Sequence, residues 1–279
     1  MNNLINIFIA VFLFFLSILI CIPNISFAQE FKKAQPNYEL AFPRDHGAHR
    51  NYETEWWYFT GLLKSNNESY KYGFQLTFFR RANKTNANDW HQAYLAHAAI
   101  SNFETNNYHY NEKLASAGLG IAGASESELK VWNHNWRAEK IGEKLLLSFD
   151  IKDKTEGGES MNKCEIRLIS NDIPSNATRI IKNGDNAYSK KGNSGASIYY
   201  SMAPIKLDGH INCEKGKEEL RSKELVSGKA WMDHEFMTNA LSKDQVGWDW
   251  ISLNFNNNDT LMLFRLRDKK GKANYKSGN

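Results

Sequence analysis

The chain has 279 residues, of which 24% are charged, 42% are hydrophobic and 13% are aromatic. This length and apolar content are enough for one large all-β unit or two small domains with a real core. The formal net charge is only +4, and acidic and basic residues are interspersed along the chain. The composition therefore argues against a nucleic-acid-binding protein, which would carry a basic stripe.

The first stretch is typical of a targeting segment rather than of a folded domain. Residues 4–22 are nearly all apolar, and a small-x-small tripeptide follows at 26–28, which predicts a signal peptide over residues 1–28 and a mature chain beginning near Gln29. The alternative is an uncleaved membrane anchor, because the apolar run is nearly long enough to span a bilayer. We expect a periplasmic or secreted protein. In that oxidising setting Cys164 and Cys213 can form a disulfide, although their spacing does not establish one.

After a polar N-terminal arm at residues 29–52, short apolar segments alternate with turn signals. The alternation is clearest at 70–80, where Tyr72, Phe74 and Leu76 share one face. Further strands are predicted at 56–63, 94–103, 145–151, 164–170, 197–202, 225–231, 248–255 and 261–267. Residues 114–124 are rich in small side chains and are predicted to be a loop. Residues 45–49 offer one aspartate and two histidines, but we interpret them as a solvated loop because no further metal ligands are near.

Short strands at regular spacing predict an all-β sandwich or barrel. We favour an up-and-down antiparallel β-barrel, because closure leaves no edge strands and the barrel mouth can hold one apolar ligand.

Carboxylates, imidazole and indoles are concentrated at residues 230–236 and 247–250. Apolar walls beside a carboxyl raise its pKa and make a general acid available near neutral pH. If the strand is regular, Asp233 and Glu235 share one face and His234 points to the other. Both sets can enter one lumen only through a β-bulge. The alternative for these residues is a purely structural core or rim.

Six segments carry a resemblance to a known family: 55–61 (EWWYFTG), 74–80 (FQLTFFR), 96–99 (AHAA), 188–192 (YSKKG), 231–235 (WMDHE) and 247–250 (GWDW). The chain resembles the lipocalin-like family that contains the carotenoid hydratases (hydroxyneurosporene synthases) and the AttH-type secreted hydrolases, and it is closer to the AttH-type branch. The resemblance implies tandem lipocalin-like β-barrels and catalysis without a metal or organic cofactor.

The resemblance also implies a domain division. Residues 53–230 correspond to the first lipocalin-like domain, and residues 231–279 correspond to the start of a second one. Because the chain ends at Asn279, we expect the second domain to be truncated or to be completed by another chain.

The resulting hypothesis is acid-assisted water addition to, or hydrolysis of, an apolar isoprenoid or lipid-like substrate. Asp233 is the expected acid, and His234 or His97 orients water. Glu235 and Asp249 are the alternative carboxylates. The expected substrate-binding residues are Trp57, Tyr58, Gln75, Tyr188, Trp231, Trp248, Asp249 and Trp250. A serine hydrolase is disfavoured, because the chain has no Gly-x-Ser-x-Gly elbow. Two other hypotheses stay open: a non-enzymatic carrier using the same cavity, and an accessory protein bound to a membrane transporter.

Overall fold

The computed structural model describes most of the chain that follows the predicted signal peptide. The described residues are 30–65, 69–83, 91–152, 163–170, 180–192, 195–215, 218–238 and 241–278. The signal peptide predicted over residues 1–28 lies outside these ranges. No helix in the described part of the chain is long and apolar enough to cross a membrane.

From residue 54 onward the described residues are mainly β-strand, and short 3-10 turns lie at Arg44–His46 and Ala117–Leu119. The strands are β1 (Thr54–Lys64), β2 (Tyr70–Ala82), β3 (Gln92–Asn102), β4 (Asn107–Ser116), β5 (Ala122–Ala124), β6 (Lys130–Asn133), β7 (Trp136–Ile141), β8 (Lys144–Lys152), β9 (Lys163–Ser170), β10 (Ile180–Lys182), β11 (Tyr188–Lys190), β12 (Ala196–Lys215), β13 (Glu218–Met237), β14 (Gln245–Asn254), β15 (Thr260–Asp268) and β16 (Ala273–Gly278). The prediction of an all-β chain is confirmed.

Strands β1 to β13 form one antiparallel sheet that curls into a nearly closed barrel. The strand order is β4-β3-β2-β1-β13-β12-β9-β8-β7-β6-β5, and β10 and β11 both pair with β12. The two ends of the sheet approach each other, since β4 contacts β5, β6 and β8. Around the barrel the neighbours follow chain order, and β13 returns to pair with β1. This is the predicted up-and-down arrangement.

The inward face of the barrel is a packed core. Trp57, Phe59, Phe78, Trp136 and Leu147 are all fully buried and belong to one cluster. Burial of such large side chains is the main favourable contribution to folding. The sequence-based expectation placed a ligand in the barrel mouth. In the structure these apolar side chains occupy the interior, and the cavity with the candidate chemistry lies on the other side of the sheet.

A second, three-stranded sheet, β14-β15-β16, packs against the outer face of the barrel. Met262, Phe264 and Leu266 of β15 form a buried cluster with Tyr199 of β12 and Trp231 of β13. Strand β13 continues without interruption across residues 230 and 231, where the domain boundary was predicted, and the chain enters the second sheet at β14. That this sheet begins a second lipocalin-like domain stays a prediction.

The loop predicted at residues 114–124 is wrong in part. This segment contains the end of β4, a 3-10 turn and the short strand β5. Close packing requires one of its glycines: a Cβ atom added at Gly123 would lie 2.6 Å from the Trp132 ring. Glycine therefore marks a place where an indole covers the backbone rather than a break in the strand.

The structure joins Cys164 and Cys213 in a disulfide. The two residues face each other directly in the β9–β12 pairing, and their Cα atoms are 4.1 Å apart. The bond links positions separated by 49 residues.

We predict that the double variant Cys164→Ala/Cys213→Ala lowers the free energy of unfolding by about 2–4 kcal/mol, because a long loop is no longer closed in the unfolded chain. Urea denaturation measures the change. Reductant should lower the stability of the wild-type protein by a similar amount and leave that of the variant unchanged. Equal stability of the two proteins contradicts the prediction.

Candidate active site

Strand β13 presents different chemistry on its two faces. It pairs in unbroken register with β1, so that Asp233 lies opposite Tyr58 and His234 lies opposite Trp57. Because side chains alternate along a strand, Asp233 and Glu235 face outward and His234 faces the barrel interior. The expectation that Asp233 and His234 cannot share one lumen without a bulge is confirmed. The barrel therefore carries two separate polar clusters.

The outward cluster lines a cavity of 340 Å³ between the barrel and the second sheet. The barrel strands and the segment around Lys191 supply its polar side, which includes Tyr58, Gln75, Thr77, Lys191, Tyr199, Asp233 and Glu235. The opposite wall is apolar. It consists of Leu241, which precedes the second sheet, and of Trp248, Trp250, Phe264 and Leu266 within that sheet. Such a mostly apolar space with a few polar groups is typical of a small-molecule site.

Aromatic pairs shape this cavity. Trp56 of β1 stacks on Trp248 of β14 with ring centroids 5.9 Å apart and planes 11° apart. Trp250 meets Tyr58 edge to face at 5.2 Å and Trp231 at 6.0 Å. The two sheets therefore meet through rings, which present flat apolar surfaces to the space between them.

The described side chains that hold Asp233 are uncharged donors. Its Oδ1 accepts hydrogen bonds from Ser201 Oγ at 2.5 Å and from Trp231 Nε1 at 2.6 Å. Burial raises the pKa of Asp233 to about 7, against the opposing effect of the hydrogen bonds from Ser201, Trp231 and Tyr199. Burial prevails because none of the cationic side chains that the structure describes stands beside this carboxyl to favour its ionised form.

Glu235 lies two residues further along the same face and is paired with a cation. Its Oε1 is 2.5 Å from Lys191 Nζ and accepts a hydrogen bond from Ser197 Oγ. Both side chains of the pair are almost fully buried, with 8% of Lys191 and 5% of Glu235 exposed. The cavity therefore contains one charged pair and one carboxyl that titrates near neutrality.

The inward cluster is centred on the carboxylate of Glu55, which is fully buried. Oε2 accepts hydrogen bonds from Arg80 Nε at 2.9 Å and from the His49 backbone N–H at 2.8 Å. Oε1 lies 2.7 Å from His49 Nδ1 and 2.8 Å from His234 Nε2. Burial alone would raise the pKa of Glu55, but the charges of Arg80 and His49 outweigh it and hold the pKa well below its usual range.

His49 bridges two carboxylates. Nδ1 contacts Glu55, and Nε2 lies 3.0 Å from Asp45 Oδ1. An ionised carboxylate can only accept hydrogen bonds, so both imidazole nitrogens must carry protons and His49 is an imidazolium. Burial disfavours that charge, yet Glu55 and Asp45 together raise the pKa of His49. The interpretation of residues 45–49 as a solvated loop is therefore wrong, because their side chains are anchors in the barrel interior.

A second chain of hydrogen bonds continues inward from His234. Its Nδ1 lies 3.0 Å from the Tyr200 hydroxyl, which lies 2.7 Å from His46 Nδ1. Burial lowers the pKa of His234, and burial together with the nearby His234 lowers that of His46 to about 3. These two imidazoles are therefore neutral. They position the segment rather than add charge to the interior.

The ligating atoms of His49, Glu55 and His234 lie within 4.8 Å of one another, which is close enough to consider a metal ion. The donor set does not fit one well. Arg80 already neutralises Glu55, and the second proton of His49 already balances Asp45. A divalent cation would add net positive charge to a fully buried site. The cluster fits a network of protons and ion pairs better than a metal centre.

Gly47 allows the N-terminal segment to reach this position. A Cβ atom at Gly47 would lie 2.6 Å from the Ser125 carbonyl oxygen. The neighbouring Ala48 N–H donates to that same oxygen, with an N to O distance of 2.7 Å. The glycine between two histidines is the one local signal that a close backbone contact, rather than a free loop, was needed here.

The predicted site residues fall into three groups. Tyr58, Gln75, Asp233, Glu235, Trp248 and Trp250 line the cavity. Trp231 lies beneath it as a donor to Asp233, whereas Trp57 and His234 stack on each other in the inward cluster. The others lie outside the cavity: His97 packs on Phe79 and Tyr110, Tyr188 lines a different groove, and Asp249 is exposed in a pair with Arg265 and Arg267.

Sequence reasoning missed several residues that contribute to the site. Lys191 and Tyr199 line the cavity, and Glu55, Arg80 and His49 form the inward network. Because side chains alternate along a strand, Glu55 shares the inward face of β1 with Trp57. No local pattern indicated that Arg80 would be its partner, because their contact depends on the pairing of β1 with β2.

The fold and the cavity together define a lipocalin-like protein: an antiparallel barrel with an associated apolar ligand space. The sequence profile of the AttH-like family matches residues 33–279, and the chain belongs to this family. The chain is also similar to a crystal structure from Nitrosomonas europaea, determined at 2.00 Å and provisionally assigned as an AttH. That likeness has 28% identity and a TM-score of 0.68, and it covers 89% of this chain and 71% of that one. A comparison with curated proteins finds no match.

We predict that Arg80→Met lowers the free energy of unfolding by about 3–5 kcal/mol, because it leaves the Glu55 carboxylate buried beside fewer cations. The matched control is Arg81→Met on the same strand. Arg81 is 63% exposed and pairs with Glu53 at the surface, so its loss should change stability by less than about 1 kcal/mol. Denaturant unfolding of both variants measures the difference. Equal effects would show that the inward network does not stabilise the barrel.

Proposed function

We propose that this protein catalyses cofactor-free, acid-assisted addition of water to an apolar isoprenoid or lipid-like substrate, or hydrolysis of one, in the cavity between the barrel and the second sheet. The observation that carries the proposal is Asp233, a fully buried carboxyl beside an apolar cavity with a pKa of about 7. A substantial fraction of this group is protonated at neutral pH and available as a general acid. The resemblance to carotenoid hydratases, which act without a cofactor, supports the same chemistry.

The hydrogen bonds of Asp233 indicate where its proton sits. Oδ1 accepts from both Ser201 and Trp231, so the acid proton belongs on Oδ2. Ser201 in turn accepts a hydrogen bond of 2.7 Å from Asn183 Nδ2. This chain fixes the carboxyl plane, and a fixed carboxyl delivers its proton along one direction.

The cavity walls suit the charge that follows proton transfer to an alkene. Protonation of one alkene carbon leaves a carbocation on the other, and the faces of Trp56, Trp248 and Trp250 can stabilise it. Water then adds to the cation, and its surplus proton returns to the Asp233 carboxylate. Atoms and charge balance, and the acid is regenerated without a cofactor.

Glu235 is placed to hold the water. It shares the outward face with Asp233 at a separation of about 7 Å between Cα atoms, the repeat of two residues in a strand. That spacing leaves room for a water molecule between the two carboxyl groups. In ester hydrolysis the same pair would act as acid and base, with Asp233 protonating the leaving oxygen and Glu235 receiving the proton of water.

We predict that Asp233→Asn lowers turnover about a hundredfold or more, the usual scale of general acid catalysis, while affinity for an apolar ligand barely changes. Hydration of isoprenoid alkenes and hydrolysis of isoprenoid esters are followed by gas chromatography. The matched control, Asp249→Asn, removes a carboxylate that is exposed on the second sheet and should leave turnover unchanged. Trp248→Ala, in contrast, should weaken binding first because it opens the cavity wall.

The pH profile checks the same assignment independently. A general acid works only in its protonated form, so kcat/KM should fall as pH rises through the Asp233 pKa of about 7. Unchanged turnover in Asp233→Asn, or a flat profile across that range, would remove the acid role. If the wild-type protein binds isoprenoids and turns none over, the result favours the carrier hypothesis, since a carrier uses this cavity without needing the Asp233 proton.

We also propose that the protein acts outside the cytoplasm. The predicted signal peptide and the Cys164–Cys213 disulfide both support export, because disulfides persist in oxidising compartments. Intact-mass measurement of protein from the periplasm or medium should give a chain that begins near Gln29. Full-length chain recovered with the membrane fraction would favour the uncleaved anchor instead.

A further inference from the structure

Lys191 brings an ammonium group to the wall of the cavity, and the acid chemistry proposed above does not use it. Nζ lies 2.5 Å from Glu235 Oε1 and 3.4 Å from Ser189 Oγ. It also lies 4.3 Å from the ring centroid of Phe264 and 5.0 Å from that of Tyr199. A charge buried among aromatic rings is costly to maintain, so its presence at a ligand cavity calls for a role.

The backbone around Lys191 is held firmly where the barrel meets the second sheet. Its N–H donates to the Gly195 carbonyl at 2.8 Å, and its carbonyl accepts from Gln245 Nε2 at 3.1 Å. The next residue, Gly192, has φ of +93°, and a Cβ atom there would lie 3.0 Å from Gln245 Nε2. The ammonium is thus a fixed feature of the cavity wall rather than the end of a free surface lysine.

The ammonium has hydrogen-bonding capacity to spare. It carries three N–H bonds, and the contacts with Glu235 and Ser189 account for two of them. Among the described residues no other hydrogen-bond acceptor contacts the ammonium, and its remaining neighbours are the rings of Phe264 and Tyr199, which line the cavity. An oxygen atom of a ligand in the cavity would be the natural acceptor for the third N–H, because aromatic faces alone satisfy an ammonium weakly.

Charge balance decides which kind of oxygen fits. The Lys191–Glu235 pair is neutral as a unit, and Asp233 is uncharged in its acid form. A ligand carboxylate would bring an unbalanced negative charge into an apolar cavity and close to Glu235. An uncharged acceptor would receive the hydrogen bond without that cost.

We propose that the cavity is built for an apolar ligand that carries one uncharged oxygen group, such as an alcohol, ketone or ester, and that Lys191 Nζ donates a hydrogen bond to that oxygen. The inference deepens the proposed function and rests on its assignment of this cavity as the binding site. It makes Lys191 a specificity residue for the polar end of the ligand, separate from the proton donor at Asp233.

Binding of four C15 isoprenoids with the same carbon chain tests this: farnesene, farnesol, methyl farnesoate and farnesoate. Quenching of tryptophan fluorescence reports occupancy, because Trp56, Trp248 and Trp250 line the cavity. Lys191→Met should weaken farnesol and methyl farnesoate about tenfold or more, the loss expected for a hydrogen bond to a charged donor. It should change farnesene binding less than about threefold. Comparing variants for each ligand removes the differences in hydrophobicity between ligands.

Three further variants complete the experiment. Lys190→Met is the matched control, because Lys190 is the exposed neighbour on β11 and should change nothing. Lys191→Arg keeps a charged donor and should retain part of the preference. If Lys191→Met does not fold, the double variant Lys191→Met/Glu235→Gln removes both charges of the pair and keeps the comparison possible.

The inference is overturned if Lys191→Met weakens all four ligands equally, weakens none, or mainly abolishes tight binding of farnesoate, which would indicate an anion site. Failure of this inference can be distinguished from failure of the proposed function. Asp233→Asn should keep the Lys191-dependent preference, since binding needs no proton transfer. A preference without turnover defeats only the reaction, and turnover without a preference defeats only the role of Lys191.

Discussion

One buried carboxylate, Glu55, organises the inner side of this barrel. It receives hydrogen bonds from Arg80 on β2, from His234 on β13 and from His49 in the N-terminal segment. Three parts of the chain that are distant in sequence therefore converge on two oxygen atoms. Removing Arg80 or His49 leaves charge without compensation in a fully buried site, and removing His234 leaves a hydrogen bond of the carboxylate unmade, so the network is most stabilising when it is complete.

The outer site depends on this network through the shared strand β13. Glu55 and Asp233 are both fully buried carboxyl groups, yet their protonation differs. Cations surround Glu55 and keep it ionised. Ser201 and Trp231, which are uncharged, surround Asp233, so burial raises its pKa to about 7. The fold thus places a structural anion and a potential acid on opposite faces of the paired strands β1 and β13, and one layer of backbone separates them.

The part of this architecture that follows from local sequence was predictable. Alternation identified the strands and the two faces of β13, because side-chain direction has a period of two. The role of residues 45–49 was not predictable, since it depends on Glu55 and His234, which reach that segment only after the barrel has closed. The position of the cavity was missed for a related reason: alternation shows that Trp248 and Trp250 share a face, but not that this face covers the outside of the barrel. No local pattern indicated that Lys191 would line the cavity, apart from its place in the 188–192 motif.

The alternation of β13 also limits how this protein can change over evolutionary time. A single inserted or deleted residue before Asp233 would turn every later side chain to the opposite face. His234 would then enter the ligand cavity, and Asp233 and Glu235 would enter the interior beside Glu55, where like charges would meet. Lineages carrying such a change would lose the barrel and the cavity together. This strand can therefore diversify by substitution at single positions, whereas changes of length are confined to the turns at its ends.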